Sequence, residues 1–195
     1  MEANVTLLAD ARKMDPDALI EIFDLYAPAL YKYANRLCNN AVMADQIVGE
    51  IYVKLLEQFY AGAGPGFNLR SYLYEMVYHR IVDEARFSHR WAPMEVVDLT
   101  YAHPYSTSIP AEKRILFETA LRAIRNDLTD DQRHVIILRF MEGFSLKDTA
   151  MITGKKVGNV KVIQNRAIAA LRKALDYQIV ETKAISITIR SLAHA

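Results

Sequence analysis

An all-α protein, built as two small helical domains joined by a linker, is the fold class this sequence predicts, and three observations carry that prediction. Apolar residues recur three and four apart through most of the 195 residues, the spacing of one helix face. No segment alternates at strand period until the tail, where Ile185, Ile187 and Ile189 are interleaved with Ser186, Thr188 and Arg190. Midway, WAPMEVVDLTYAHPYSTSIP holds three of the six prolines (Pro93, Pro104, Pro110) and loses helical periodicity, which marks a domain boundary. The expected division is a first domain over 1–90, a linker over 91–112, a second domain over 113–175 and a C-terminal extension over 176–195.

In chain order, LIEIFDLYAPALYKYANRL and MADQIVGEIYVKLLEQF read as amphipathic helices. In the second, Ile47, Val48, Ile51, Tyr52, Leu55, Leu56 and Phe59 form the apolar stripe, while Asp45, Gln46, Glu50, Lys54 and Glu57 lie off it. AGAGPGF contains three of the seven glycines and a proline, so it reads as a loop. RSYLYEMVYHRIVDEARFSHR resumes helical spacing. Beyond the linker come AEKRILFETALRAIRNDL, TDDQRHVIILRFMEG, SLKDTAMITG and VGNVKVIQNRAIAALRKAL, divided at Gly143 and at Gly154 to Gly158. The extension's alternation sets it apart from these helices, and its three isoleucines are candidates for docking on a protein surface.

Composition narrows the function classes. The chain is 52% apolar and 24% charged, the balance of a globular protein rather than a disordered or collagenous one. There is no run of about 18 apolar residues, so no membrane span is expected, nor a secretory signal, and the expected location is the cytoplasm. Cys38 is the single cysteine, which excludes an internal disulfide or a cysteine-based zinc site; on an apolar helix it reads as a small buried side chain. The five histidines are scattered, with no HExxH, and Gly62, Gly64 and Gly66 lack the Gly-Lys-Ser/Thr ending of a phosphate loop. No enzyme activity, metal or cofactor is therefore expected.

Net charge is only +1, but its distribution is polar. From Met1 to Glu57 there are nine acids to five bases, whereas Phe144 to Leu175 holds seven bases and only one acid, Asp148. A basic end suits a polyanion.

That end also carries a helix-turn-helix signal. Thr129 with Gln132 forms a capping-box pattern, after which Val135, Ile136, Leu138 and Phe140 form the expected apolar face. Ser145 with Asp148 repeats the pattern, and Gly154 permits a sharp turn before the last helix. A helical wheel of that helix places Val160, Ile163, Ala167, Leu171 and Ala174 on one side, and Asn159, Lys161, Val162, Asn165 and Arg166 on the other. Lys155 and Lys156 precede it. Apart from Val162, these are side chains that pair with phosphates or read base edges.

At this point LTDDQRHVIILRFMEGFSLKDTAMITGKKVGNVKVIQNRAIAALRKAL resembles region 4 of the extracytoplasmic-function sigma factors of bacterial RNA polymerase. Leu128, Gln132, Arg133, Leu138, Arg139, Glu142, Gly143, Ser145, Ala150, Gly154, Val157, Gly158, Val160, Lys161, Arg166 and Ala167 carry the likeness. ADQIVGEIYVKLLEQF and RSYLYEMVYHRIVDEARFSHR resemble region 2 of the same family, with Leu73, Asp83 and Arg86 in agreement. The likeness spans Leu19 to Leu175. It departs at Tyr72, where the family usually has Trp, at His79 for Asn, at Gly49 for Gln, and at Val162-Ile163-Gln164 for Ser-Arg-Leu.

The resemblance implies a sigma factor: a non-enzymatic subunit that directs core polymerase to promoters and assists strand opening. It implies no region 3 or acidic region 1.1. The partners it implies are core RNA polymerase, through its β′ clamp helices and β flap, promoter DNA, and an anti-sigma factor. For the −35 element the expected residues are Lys155, Lys156, Asn159, Lys161, Val162, Asn165 and Arg166. For the −10 element, where unstacked bases need planar side chains and the single strand needs cations, they are Asn68, Arg70, Tyr72, His79, Arg86 and Arg90. For polymerase they are Asp45, Gln46, Glu50, Lys54 and Glu57. Two other readings of the same residues are a helix-turn-helix regulator that binds DNA without polymerase, and a sigma-like adaptor or antagonist.

Overall fold

The computed structural model describes residues 2–66, 68–87 and 111–192, with side chains over 6–66, 68–84 and 118–176. The chain divides into two compact units. One comprises Met1–Val97 together with Lys147–Lys156, the other Asp98–Leu146 and Val157–Ala195. All regular structure among the described residues is helical.

The first unit opens with α1 (Glu2–Ala11), a helix the sequence pattern did not pick out, which packs Leu8 and Ala11 inward along α2 (Pro16–Cys38). Asp15 starts α2 by accepting a hydrogen bond from the Ala18 N–H at 2.9 Å, with Pro16 in the first turn, where a missing N–H costs nothing. Asn39, at φ 50°, ends α2 in the left-handed region that asparagine tolerates. Asn40 then caps α3 (Ala41–Tyr60) through Met43 N–H at 3.0 Å. The helix α4 (Leu69–Phe87) completes a bundle with α2 and α3.

The centre of that bundle is formed by Ile22, Leu30, Tyr33, Ile47, Leu55, Leu73, Tyr74 and Val77, all fully buried. The rings of Tyr33 and Tyr74 lie 5.1 Å apart at a tilt of 45°, a favoured aromatic arrangement. Tyr52 donates its hydroxyl to the Ile22 carbonyl at 3.3 Å, so that this buried phenol keeps a partner. Cys38 is buried, and desolvation, aided by the charge of Glu84, pushes its thiol up to about 12, which leaves it protonated and a poor nucleophile.

In the second unit α5 (Ala111–Asn126), α6 (Asp130–Ile136) and α8 (Val157–Leu192) enclose a core of Leu128, Ile136 and Ala167, flanked by Ile124, Ala170 and Leu171. The capping box is present in full: Thr129 accepts from Gln132 N–H, and Gln132 accepts from Thr129 N–H at 3.1 Å. Arg133 closes the end of α5. Its guanidinium donates to the carbonyls of Ile124 and Arg125 at 3.3 and 2.8 Å, groups that a helix C-terminus leaves without partners, and to that of Leu128 in the following turn at 3.2 Å.

After Ile136 the helix widens into a π-turn (Ile137–Met141), with Glu142 N–H bonded to the Ile137 carbonyl at 3.0 Å. This corrects one expectation. Val135, Ile136 and Leu138 are buried, but Phe140 is 59% exposed, because the wider turn rotates it off the apolar stripe.

The short α7 (Leu146–Ile152) buries Thr149, Ala150 and Ile152. It ends in a Schellman-type turn in which Lys155 N–H reaches the Ala150 carbonyl at 2.9 Å and Gly154 takes φ +63°. No atom stands within 4 Å of where a Gly154 Cβ would lie, so only backbone strain opposes a side chain. Gly154→Ala is expected to cost about 1–2 kcal/mol in urea unfolding. An unchanged midpoint would contradict the strain argument.

The strand-like reading of the tail is also corrected. The helix α8 continues unbroken past Leu175 to Leu192, carrying Ile185, Ile187 and Ile189 within it. A strand in this all-helical surrounding would leave its backbone groups without a ladder, whereas a helix satisfies them within itself. The linker over 91–112 lies outside the described residues, except for the first two residues of α5.

Candidate nucleic-acid interface

The basic end is built on the first half of α8. Burial of Val160 and Ala167 fixes the helix rotation, and the opposite side presents Asn159, Lys161, Val162, Asn165 and Arg166, all exposed. Lys155 is half-buried and Lys156 exposed in the turn before it. The side is therefore three polar or cationic types around one exposed valine, a surface able to contact phosphates, base edges and a thymine methyl. Gln164, which sequence reading left without a role, accepts a hydrogen bond from Arg139 Nε at 2.9 Å. Arg139 also donates to the Phe144 carbonyl, so one guanidinium joins the π-turn, the following turn and α8.

On α4, Leu73, Met76 and Val77 are buried as expected, and Tyr72, Glu75 and His79 follow one another on the outer side. Asn68 caps the helix, accepting from Ser71 N–H at 3.1 Å. Arg70 lies in the first helical turn rather than in the loop, its guanidinium 5.5 Å from the centre of the Tyr74 ring. Tyr72 donates its hydroxyl to Gln58 Oε1 of α3 at 2.6 Å, leaving the ring half-exposed at the core's edge. His79 is exposed, 3.9 Å from Glu75, an acid the sequence reading had not placed here. Arg86 lies on α4 with its side chain outside the described residues, and Arg90 is wholly outside them.

On α3, Asp45, Gln46, Glu50, Lys54 and Glu57 are all exposed on one side. Two of them are already engaged: Gln46 donates to Glu50 at 2.8 Å, and Glu50 takes Arg80 Nε at 2.6 Å, while Arg80 also holds Glu84 at 2.7 Å. Leu56 does not belong to the buried stripe, being 37% exposed. It joins Val42, Gly49, Val53 and Tyr60, the last 83% exposed, in a seam spaced by alternating threes and fours once Gln46 is included. That is the spacing that receives a partner helix. No atom lies within 4 Å of a Cβ at Gly49, so its bare backbone lets such a partner approach closely.

The hydrogen bond from Arg80 holds the Glu50 carboxyl below its ordinary value of 4.5. A carboxylate lowered on folding stabilises the fold above that ordinary value, and the contribution is lost as pH falls through the lowered one. Glu50→Gln should therefore cost stability at pH 7, by less than about 1 kcal/mol because the pair is open to solvent, and nothing in strong acid. Urea midpoints at both pH values check this; a difference independent of pH would contradict it.

Residues 22–91 match Sigma-70 region 2 and residues 126–173 match Sigma-70 region 4. The ECF RNA polymerase sigma factor EcfG of Rhodopseudomonas palustris is 32% identical over 148 residues, covering 76% of this chain and 80% of its own. This chain belongs to the extracytoplasmic-function sigma factors of the sigma-70 family. The sigma factor SigX of Bacillus subtilis is 24% identical over 167 residues, covering 80% of this chain and 82% of that one.

Two solved structures share the fold. The sigma factor RpoE of Bartonella quintana, in complex with the anti-sigma factor NepR, aligns at TM-score 0.64 and 25% identity over 80% of this chain and 95% of that one. CnrH, in complex with the cytosolic domain of CnrY, aligns at 0.65 and 20% identity over 88% and 96%. Sigma factors as a class are not catalysts. Among the described residues no helix is long and apolar enough to cross a membrane, and no acid, His or Cys cluster suits a metal ion.

Proposed function

We propose that this sigma factor divides its work along the chain as 1–90 for polymerase and the −10 element, 91–112 as linker, and 113–175 for the −35 element. The first half of α8 enters the major groove of the −35 element. Lys155, Lys156, Lys161 and Arg166 pair with phosphates, Asn159 and Asn165 meet base edges, and Val162 meets a thymine methyl. The leading half of α4, with Asn68, Arg70, Tyr72 and His79, receives the opened −10 strand, and Arg86 and Arg90 follow its backbone. The seam of α3, bordered by Asp45, Gln46, Glu50, Lys54 and Glu57, docks on the β′ clamp helices of core polymerase, and the second unit docks on the β flap.

The single observation that carries this reading is the outer side of α8, where buried Val160 and Ala167 turn Asn159, Lys161, Asn165 and Arg166 outward together. The anti-sigma factor bound to the RpoE relative supports an anti-sigma partner for this chain as well. The protein works in the cytoplasm and catalyses no reaction itself.

Run-off transcription with purified core polymerase on a library of upstream fragments tests the proposal. New, defined start sites that depend on this protein are expected. Core binding without transcripts would favour the adaptor, and sequence-specific DNA binding without core would favour a free-standing regulator.

A further inference from the structure

The loop between α3 and α4 delivers the groups proposed to meet the −10 strand. Its first part is held by α3: Gly62 N–H bonds to the Phe59 carbonyl at 3.0 Å, and Ala63 N–H to the Gln58 carbonyl at 2.7 Å. Its last part is held by α4, where Asn68 accepts from Ser71 N–H. Between them the backbone is permissive, with Gly62 at φ +69° and Gly64 at φ +111°, so the two held ends do not by themselves determine the path of the loop beside α4's leading end.

Among the described residues, the hydrogen bond that reaches this middle stretch from elsewhere in the fold comes from Arg12, whose guanidinium donates to the Pro65 carbonyl across 53 residues. Pro65 itself is buried. Arg12 is well placed to hold it. Leu8 and Ala11 anchor the end of α1 in the bundle, Arg12 N–H bonds to the Leu8 carbonyl at 3.2 Å, and the turn that follows is fixed by Asp15 N–H on the Asp10 carbonyl at 3.2 Å.

We propose that Arg12 is a positioning residue for promoter reading. Through Pro65 it sets the path of the Gly62–Gly66 loop, and with it the wall that this loop forms beside Asn68, Arg70 and Tyr72 where they are proposed to meet the −10 strand. The proposal rests on the −10 assignment made above. It gives α1, which lies before the matched Sigma-70 segments, a part in promoter selectivity without contact to DNA.

The test is open-complex formation by reconstituted holoenzyme on a promoter set carrying each base at each −10 position, alongside core affinity and thermal stability of the free sigma factor. Arg12→Ala should keep core affinity and −35 dependence while compressing the preference among −10 bases by roughly tenfold, within the range that one misread base pair represents. Arg12→Lys should restore part of it. Gly64→Ala provides a second route, because a Cβ there would meet the Phe59 ring at 3.1 Å from a backbone that L residues rarely adopt; it should compress the same preference.

If Arg12→Ala and Gly64→Ala both leave the −10 profile as in the parent, the proposal is overturned. If Arg12→Ala lowers stability and core binding while its −10 profile is unchanged per complex formed, the contact is merely structural and the proposal is again overturned. Asn68→Ala with Arg70→Ala separates the two levels: a profile unmoved by that pair means the −10 assignment itself has failed.

Discussion

Replacing Lys161 and Arg166 together by alanine is expected to weaken the promoter complex roughly tenfold or more and to reduce the slope of log affinity against log salt by about 2. Both residues are exposed on the side of α8 opposite its buried Val160 and Ala167, so their removal leaves the core unchanged. Each cation on a phosphate releases about one counterion, and that release is independent of sequence. The loss should therefore be similar on every promoter. Asn159→Ala and Asn165→Ala should behave differently, costing about 1–3 kcal/mol of discrimination at individual base pairs with little change in salt slope. Holoenzyme binding titrated over salt, on promoters varied through the −35 element, checks both. An unchanged slope in the double variant would remove α8 from the DNA.

Arg133→Met is expected to destabilise the second unit by about 2–3 kcal/mol, a melting shift of the order of 10 °C for a unit of this size. The methionine preserves much of the side chain's volume but returns three carbonyls, of Ile124, Arg125 and Leu128, to an unpartnered state. Arg133 is only 15% exposed at its side chain, so water replaces those bonds poorly. Arg133→Lys should recover part of the loss, because an ammonium cannot span three acceptors that a planar guanidinium reaches at once. Calorimetry of the intact chain measures this. A shift below about 2 °C would mean that the bonds add little beyond what the unfolded chain makes with water.

Much of the fold was legible because it is local. The helices from α2 to the first half of α8 follow from apolar spacing, and the Thr129–Gln132 capping box could be read directly from four residues. The errors arise where the local pattern misleads in different ways. One π-turn moved Phe140 outward, and Leu56, next to the buried Leu55, falls about 100° further round the helix and onto the outer seam. Contacts between distant residues were beyond such reading altogether. Glu50 with Arg80, Arg139 with Gln164 and Arg12 with Pro65 are separated by 30, 25 and 53 residues, and nothing in the periodicity of either segment announces them. The exposed residues of the candidate interface were legible as faces, while the partners they already hold within the fold were not.

The bond between Arg139 and Gln164 bears on how α8 can evolve. The family pattern that this chain resembles has leucine in place of Gln164, an exchange that looks harmless on a half-buried site. In this chain it would strip Arg139 Nε of its acceptor while the same guanidinium still gripped the Phe144 carbonyl. The two positions are thus coupled: leucine at 164 is expected to cost less once Arg139 has changed or found another acceptor. Exposed Asn159, Val162 and Asn165 stand outside that bond, so the proposed DNA-facing side is free to vary around a Gln164 that is constrained from beneath.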